Sequence, residues 1–153
     1  MISRKVLFYG LAGLALCVLF ALDASAGKGN GNGNGGGNGG GGGPVIKGNP
    51  SFATDIQEIF NRKGCTASQC HGVARNAGLD LRAGSAHANL VNVTAQGAGG
   101  ETRVIPGDAQ NSYLVKKLEG RGAGSLMPLG GTPLDNTDLT NIRNWINQGA
   151  SNN

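Results

Sequence analysis

Hydrophobic positions divide the chain into three parts. Residues 6–22 are an almost unbroken apolar run, and residues 27–43 are nearly all glycine and asparagine. Beyond residue 50, apolar residues recur every three or four positions, which is the spacing of one helix face. The pattern therefore predicts an apolar leader, a polar tract and a helical unit.

The first predicted helix leads directly into a cysteine. Thr54 and Gln57 have the spacing of a capping box, in which each side chain satisfies a free backbone amide at the helix start. Phe60 lies on the apolar face. Gly64 is placed to end the helix in a left-handed conformation, immediately before Cys65.

Three further helices follow, and no alternating strand pattern accompanies them. They are predicted over residues 85–91, 110–119 and 136–148. Asp135 is the expected N-cap of the last helix, and Gly149 follows its end. Residues 103–105 are at most a short extended piece. We therefore predict an all-α unit of about four short helices joined by long loops.

The amino-terminal segment has the features of a secretory signal. A basic opening precedes the apolar run, and Ala24-Ser25-Ala26 supplies small residues at the positions where signal peptidase cleaves. Residues 1–26 therefore predict export to the periplasm or another exported location. Left uncleaved, the run would be a membrane tether near the lower length limit for spanning a bilayer. Lipidation at Cys17 fits less well, because Leu16 before it is bulky.

Composition sets the remaining boundaries and excludes one class of partner. Residues 27–49 are interpreted as a flexible linker, and residues 50–153 as the folded domain. Loss of Arg4, Lys5 and Asp23 with the leader would lower the formal net charge from +4 to +3. The basic residues are scattered rather than clustered, so no nucleic-acid surface is expected.

The most informative stretch is Cys65-Thr66-Ala67-Ser68-Gln69-Cys70-His71-Gly72. Two cysteines, with histidine directly after the second, are typical of covalent haem attachment. Each thiol can add to a haem vinyl group, and the adjacent imidazole can then bind the iron. The usual motif has two residues between the cysteines, whereas this one has four, which leaves attachment at Cys65 less certain than at Cys70.

The same residues are also compatible with a domain that binds no haem. In an oxidising compartment, Cys65 and Cys70 can form a local disulfide. A structural zinc site normally has four ligands, and beyond these cysteines and His71 only His87 remains among the usual soft types, so zinc is disfavoured.

Met127 is the candidate for the second axial ligand. It is the only methionine beyond the leader and lies in a loop bounded by glycine and proline rather than on an apolar helix face. Such a loop can carry a thioether to the iron face opposite His71. His87, near a predicted helix start, is a weaker competitor whose default role is packing or exposure.

The domain is poor in large apolar side chains. Its aromatic residues are Phe52, Phe60, Tyr113 and Trp145. Four short helices with long glycine-rich loops would struggle to build a core from protein alone at this size. A buried porphyrin would supply a flat apolar centre, so the helices are expected to wrap around haem.

Residues 52–150 are similar to the class I c-type cytochrome domain, in particular its planctomycete-type subgroup. The segments that carry the resemblance are Cys65-x4-Cys70-His71-Gly72, Leu79-Asp80-Leu81, Asn89-Leu90-Val91, Pro106-Gly107-Asp108, Ser112-Tyr113-Leu114-Val115-x-Lys117-Leu118, Met127-Pro128 and Ile142-x-x-Trp145-Ile146-x-x-Gly149-Ala150. The resemblance implies one covalently bound haem c per chain, attached through Cys65 and Cys70 and ligated by His71 and Met127. It also implies that the first and last helices cross, which would bring Phe60 near Trp145.

These features predict an exported monohaem cytochrome that carries single electrons between a donor and an acceptor protein. No Ser/His/Asp set, supported carboxylate pair or phosphate-binding loop is found, so the chain is not expected to be an enzyme. Two alternatives remain. One is a catalytic or gas-sensing haem domain with an open iron site, and the other is a haem-free module held by a disulfide or a metal.

Overall fold

The computed structural model describes residues 44–153, and this part of the chain is all-α. It has four α-helices: α1, Gln57–Arg62; α2, Ala86–Leu90; α3, Tyr113–Leu118; and α4, Asn136–Asn147. A π-helical turn, Phe52–Ile56, leads into α1, and Asn76–Gly78 form a 3-10 turn. The predicted leader and most of the predicted linker lie outside the described residues. None of the helices described is long and apolar enough to cross a membrane.

The predicted capping box at Thr54 and Gln57 is wrong. The helical turn already begins at Phe52, and the Ser51 amide donates to Oδ2 of Asp55 over 2.8 Å. Gln57 is instead buried, and its Nε2 donates to the carbonyl of Leu81 over 2.9 Å. The Asp55 carboxylate accepts a backbone hydrogen bond at the start of the helical turn. Gln57 is buried because its position faces the packed side of the helix.

The end of α1 is confirmed at Gly64, which has φ of +71°. The Gly64 amide donates to the carbonyl of Asn61 over 3.1 Å, and the Cys65 amide donates to that of Phe60 over 2.9 Å. This pair of bonds is a Schellman motif, which requires the left-handed residue that glycine supplies at no steric cost. The helix end turns the chain so that Cys65 packs against the core.

The core is a single cluster to which all four α-helices and the π-helical turn contribute. Its largest fully buried side chains are Trp145, Phe60, Ile56, Leu90, Ile142 and Ile146. The aromatic ring that packs on Trp145 is that of Phe52, with centroids 5.0 Å apart, whereas Phe60 was expected there from the resemblance. Phe60 belongs to the same buried cluster.

Helix α4 is capped as predicted. Oδ1 of Asp135 accepts from the Asp138 amide over 2.9 Å, and Gly149 has φ of +100° just beyond the helix. The Asp138 carboxylate is fully buried and faces α1, where Arg62 Nη2 lies 2.7 Å and Lys63 Nζ 3.1 Å from its oxygens. Asp138 therefore joins the start of α4 to the end of α1.

A segment ahead of the predicted domain boundary also contacts α4. The Lys47 amide donates to Oδ1 of Asn141 over 2.7 Å, and Nδ2 of Asn141 donates to the carbonyl of Val45 over 2.9 Å. Nδ2 of Asn144 donates to the Lys47 carbonyl over 2.8 Å. Within the described residues, hydrogen bonds to the helical unit therefore include Val45, which lies ahead of the boundary that composition placed at residue 50.

The region between α2 and α3 contains isolated bridges rather than a strand. Val104 pairs in parallel with Val91, and Thr102 pairs with Thr94 in the antiparallel sense. Helix α3 begins later than residue 110, because Asp108 organises a turn first. Its Oδ1 accepts from the Asn111 amide over 3.0 Å.

Candidate haem-binding site

The two cysteines and the histidine of the motif belong to one hydrogen-bonded loop. The His71 amide donates to the carbonyl of Cys65 over 3.1 Å, which closes the loop across the four intervening residues. Inside it, the amides of Cys70 and Gly72 both donate to the carbonyl of Ala67, over 2.9 and 3.1 Å. The wider cysteine spacing is thus accommodated by a compact turn whose backbone hydrogen bonds join Cys65, Cys70 and His71.

Gly72 is buried, and the backbone of the same loop passes very close to its Cα atom. A Cβ atom at this position would lie 2.4 Å from the carbonyl oxygen of Thr66 and 2.8 Å from that of Ala67. Both atoms are backbone and cannot swing away as a flexible side chain would. The loop can close in this form only with glycine after His71.

Both cysteines of the loop are free thiols and partly buried. The local disulfide considered from the sequence is therefore not formed between them. Burial raises the pKa of the Cys65 thiol to about 11, and the neighbouring Cys70 adds to the rise. Cys65 is consequently protonated at neutral pH, and a protonated thiol is a weaker nucleophile than a thiolate.

The His71 ring is oriented by a backbone carbonyl. Its Nδ1 lies 3.0 Å from the carbonyl oxygen of Asn76. A carbonyl can only accept, so Nδ1 carries the proton and Nε2 keeps its lone pair for a metal, as in most metal-binding histidines. Burial, and secondarily the charge of Arg103, lower the pKa of His71, which favours the neutral, ligating form.

Asn76 is itself held in place by the cysteine loop. Its amide donates to the carbonyl of Cys70 over 3.1 Å, and its Nδ2 donates to the carbonyl of Gln69 over 2.7 Å. The group that orients His71 is therefore part of the same local structure as the thiols.

Arg103 is a site residue that the sequence analysis missed. It is 6% exposed, and its Nη1 and Nη2 donate to the carbonyls of Asn89 and Ala77, each over 2.8 Å. Among residues 44–153 it forms no ion pair with a carboxylate, and burial lowers its pKa. A single arginine in a short extended piece gives no sequence signal of this kind. The structure shows a buried cation close to His71 that lacks a counter-charge.

Met127 lies in a different loop from the cysteines. It is partly buried and packs against the same core cluster as Cys65. Its amide donates to the carbonyl of Lys117 over 3.0 Å, and its peptide bond to Pro128 is cis. The hydrogen bonds of this loop run to α3. The structure therefore joins Cys65, Cys70 and His71 directly, and Met127 only through the shared core.

His87 has the packing role that was its default. Its Nε2 lies 2.7 Å from the carbonyl of Ala150, and its ring meets that of Phe52 edge-on with centroids 5.0 Å apart. A ring nitrogen engaged in this way is not free to bind iron.

A zinc site finds no support in the part of the chain described. No three histidine, cysteine or acidic side chains are grouped there as a metal ion would require. A cavity of about 560 Å³ is lined by residues of α1, α4, the π-helical turn and the segment 44–47, and by no residue of the cysteine loop.

Partly exposed apolar side chains on the core, the His71 ring and the buried Arg103 provide the features that a haem group would need. Several apolar side chains pack on the core yet remain partly exposed: Leu79, Val91, Leu114, Met127, Leu134 and Leu139. A porphyrin presents two apolar faces, a central metal and two anionic propionates. The partly exposed apolar surface, Nε2 of His71 and the unpaired Arg103 charge match these three features respectively.

Comparisons with known proteins return no relative. No family model matches the chain, and neither a curated protein nor a solved structure is similar to it.

Proposed function

We propose that the chain is an exported monohaem c-type cytochrome that carries single electrons between redox proteins. The observation that carries the proposal is a single hydrogen-bonded loop that contains two free thiols and an imidazole whose Nδ1 is bound to the Asn76 carbonyl. That arrangement offers two attachment points and one iron ligand within a single turn. Haem c would supply the one-electron chemistry of its iron.

Each site residue has a distinct role under this proposal. Cys65 and Cys70 form the thioether bonds, and His71 binds the iron through Nε2. Met127 binds the opposite face, where a soft sulfur ligand favours ferrous iron and raises the reduction potential. A haem propionate would neutralise the buried charge of Arg103, which otherwise has only carbonyl partners.

The proposal includes the fold and the partners. The four helices would pack around the porphyrin in a cytochrome c fold. Because protein side chains occupy both axial positions, small substrates would not reach the iron, and the chain acts as a carrier rather than an enzyme. Its partners are an electron donor and an acceptor protein met outside the cytoplasm. Residues 1–26 direct export or, left uncleaved, tether the domain.

Attachment is tested by the fate of haem under denaturing conditions. Haem joined through thioethers stays with the polypeptide on a denaturing gel and through acid-acetone extraction. We expect Cys70→Ala to abolish stable holoprotein. Cys65→Ala should leave a form with a single thioether at Cys70, the cysteine directly before His71. Complete loss of haem from the wild-type protein on extraction would reject covalent attachment.

Axial ligation is tested at Met127. Met127→Ala should remove the weak charge-transfer absorption of a ferric iron–methionine bond, lower the potential and open the ferrous iron to carbon monoxide. Met127→His should restore six-coordination at a lower potential. Rapid carbon monoxide binding by the wild-type protein, with no change in Met127→Ala, would instead favour the open-site haem domain.

A further inference from the structure

The Lys117 side chain, on α3, forms hydrogen bonds to the loop that contains Met127. Its Nζ donates to the carbonyl of Ala123 over 2.9 Å and also to the carbonyl of Ser125. Among residues 44–153, Lys117 forms no ion pair with a carboxylate. The neighbouring Lys116 is instead paired with Glu101. Adjacent lysines on one helix thus have different partners.

The rest of the loop closes tightly around the Lys117 side chain. The hydroxyl of Tyr113 donates to the same Ala123 carbonyl over 3.1 Å. A Cβ atom at Gly122 would lie 2.9 Å from Cδ of Lys117 and 3.1 Å from Cε2 of Tyr113, so a side chain there would have to displace the Lys117 stem. The Met127 amide donates to the carbonyl of Lys117 over 3.0 Å.

We propose that Lys117 is the positioning residue for Met127, holding the loop of residues 121–127 in the conformation that presents the thioether to the iron. This inference rests on the proposed function, because it concerns how the second axial ligand is kept in place. Lys117 touches neither the iron nor the sulfur and acts through the loop backbone.

The physical need for such an anchor lies in the loop itself. Gly120, Gly122 and Gly124 give the backbone wide conformational freedom, and Leu126 beside Met127 is 39% exposed. The apolar contacts of such a loop are few, so hydrogen bonds must hold it. Bonds from a charged donor are about twice as strong as those between neutral groups. One ammonium that binds two carbonyls therefore restrains the stretch just before Met127.

The test compares two lysines of the same helix in the full-length holoprotein. Lys117→Met keeps the aliphatic stem and removes the ammonium, Lys117→Arg retains charge and donors, and Lys116→Met is the matched control. Three quantities are measured: the ferric iron–sulfur absorption, the rate at which carbon monoxide binds the ferrous protein, and the midpoint of thermal unfolding.

For Lys117→Met we expect most of the iron–sulfur absorption to disappear and carbon monoxide to bind roughly tenfold faster or more, as loss of a charged hydrogen bond implies. Lys117→Arg should recover most of both signals, and Lys116→Met should leave both at wild-type values. A purely stabilising lysine would lower the unfolding midpoint without changing ligation. Wild-type absorption and carbon monoxide kinetics in Lys117→Met would overturn the inference.

Two further measurements keep the outcome decisive. If Lys117→Met yields no holoprotein, Tyr113→Phe removes one bond to the same Ala123 carbonyl, and an unchanged carbon monoxide rate in it counts against the inference. Amide hydrogen exchange at residues 121–127 reports anchoring without reference to the iron. Absence of the iron–sulfur absorption from the wild-type protein would overturn the proposed function. Equal amide hydrogen exchange at residues 121–127 in wild type and Lys117→Met would instead overturn the inference about Lys117.

Discussion

His71 owes its orientation to neighbours only a few residues away. The carbonyl that binds its Nδ1 belongs to Asn76, and Asn76 is held by Gln69 and Cys70. The whole arrangement spans eight positions of the chain. Residues close to His71 in sequence therefore determine which of its ring nitrogens carries no proton.

At this scale, Gly72→Ala should disrupt the loop. The added methyl would meet two backbone oxygens that cannot yield without moving the cysteines. We expect a loss of about 1–3 kcal/mol of stability, as overpacking typically gives, and a several-fold fall in the ratio of attached haem to protein. Absorbance and intact mass report that ratio, and denaturant unfolding reports stability.

Gly48→Ala is the control for this substitution. A Cβ atom at Gly48 has nothing within 4 Å. Its haem ratio and stability should stay close to those of the wild type. Equal behaviour of the two variants would show that the tight approach at Gly72 is not needed.

At the scale of elements, the carboxylate of Asp138 links α1 to α4. Its side chain is 0% exposed and accepts from Arg62 and Lys63 at the end of α1. Arg62 also pairs with Glu58 within its own helix, but that carboxylate is 55% exposed. Burial makes the first interaction strong and solvent makes the second weak, although both use the same arginine.

Asp138→Ala should therefore destabilise the protein by about 1–3 kcal/mol, the usual effect of losing hydrogen bonds to a buried charged group. Glu58→Ala, which removes the exposed partner of the same arginine, should change stability by less than about 0.5 kcal/mol. Chemical denaturation of both variants measures the difference. Similar losses in the two would mean that burial does not distinguish these ion pairs.

At the scale of the whole molecule, the helices surround a modest core. Several of its members are alanines, namely Ala86, Ala109 and Ala150, and partly exposed apolar side chains pack against it. Under the proposed function, haem would cover part of this apolar surface. Its coverage would add apolar burial that the short helices cannot provide among themselves.

The chain expressed without haem attachment should accordingly be largely unfolded. Ordering the backbone opposes folding by about 1–2 kcal/mol per residue, and the protein-only core is too small to offset that. Circular dichroism and a thermal scan of a Cys65→Ala, Cys70→Ala variant measure this directly. A sharp, cooperative transition with the helix content of the holoprotein would contradict the expectation.

The features that the sequence predicted correctly depend on short-range chemistry. Gly64 ends α1 because only a left-handed residue closes that motif, and Asp135 begins α4 because its carboxylate reaches an amide three residues on. The apolar spacing that marked four helices is local in the same sense. The closeness of Cys65, Cys70 and His71 also needs nothing beyond one turn of chain.

Other features were decided only by the tertiary structure, because they join residues far apart in sequence. Ring packing placed Phe52, rather than Phe60, on Trp145 across the molecule. Arg103 became a buried cation because carbonyls from two separate segments converge on its guanidinium. Side chains of α4 bind the backbone of Val45 and Lys47, which composition alone assigned to a linker. No local preference encodes such pairings, because each depends on which surfaces meet once the helices have packed.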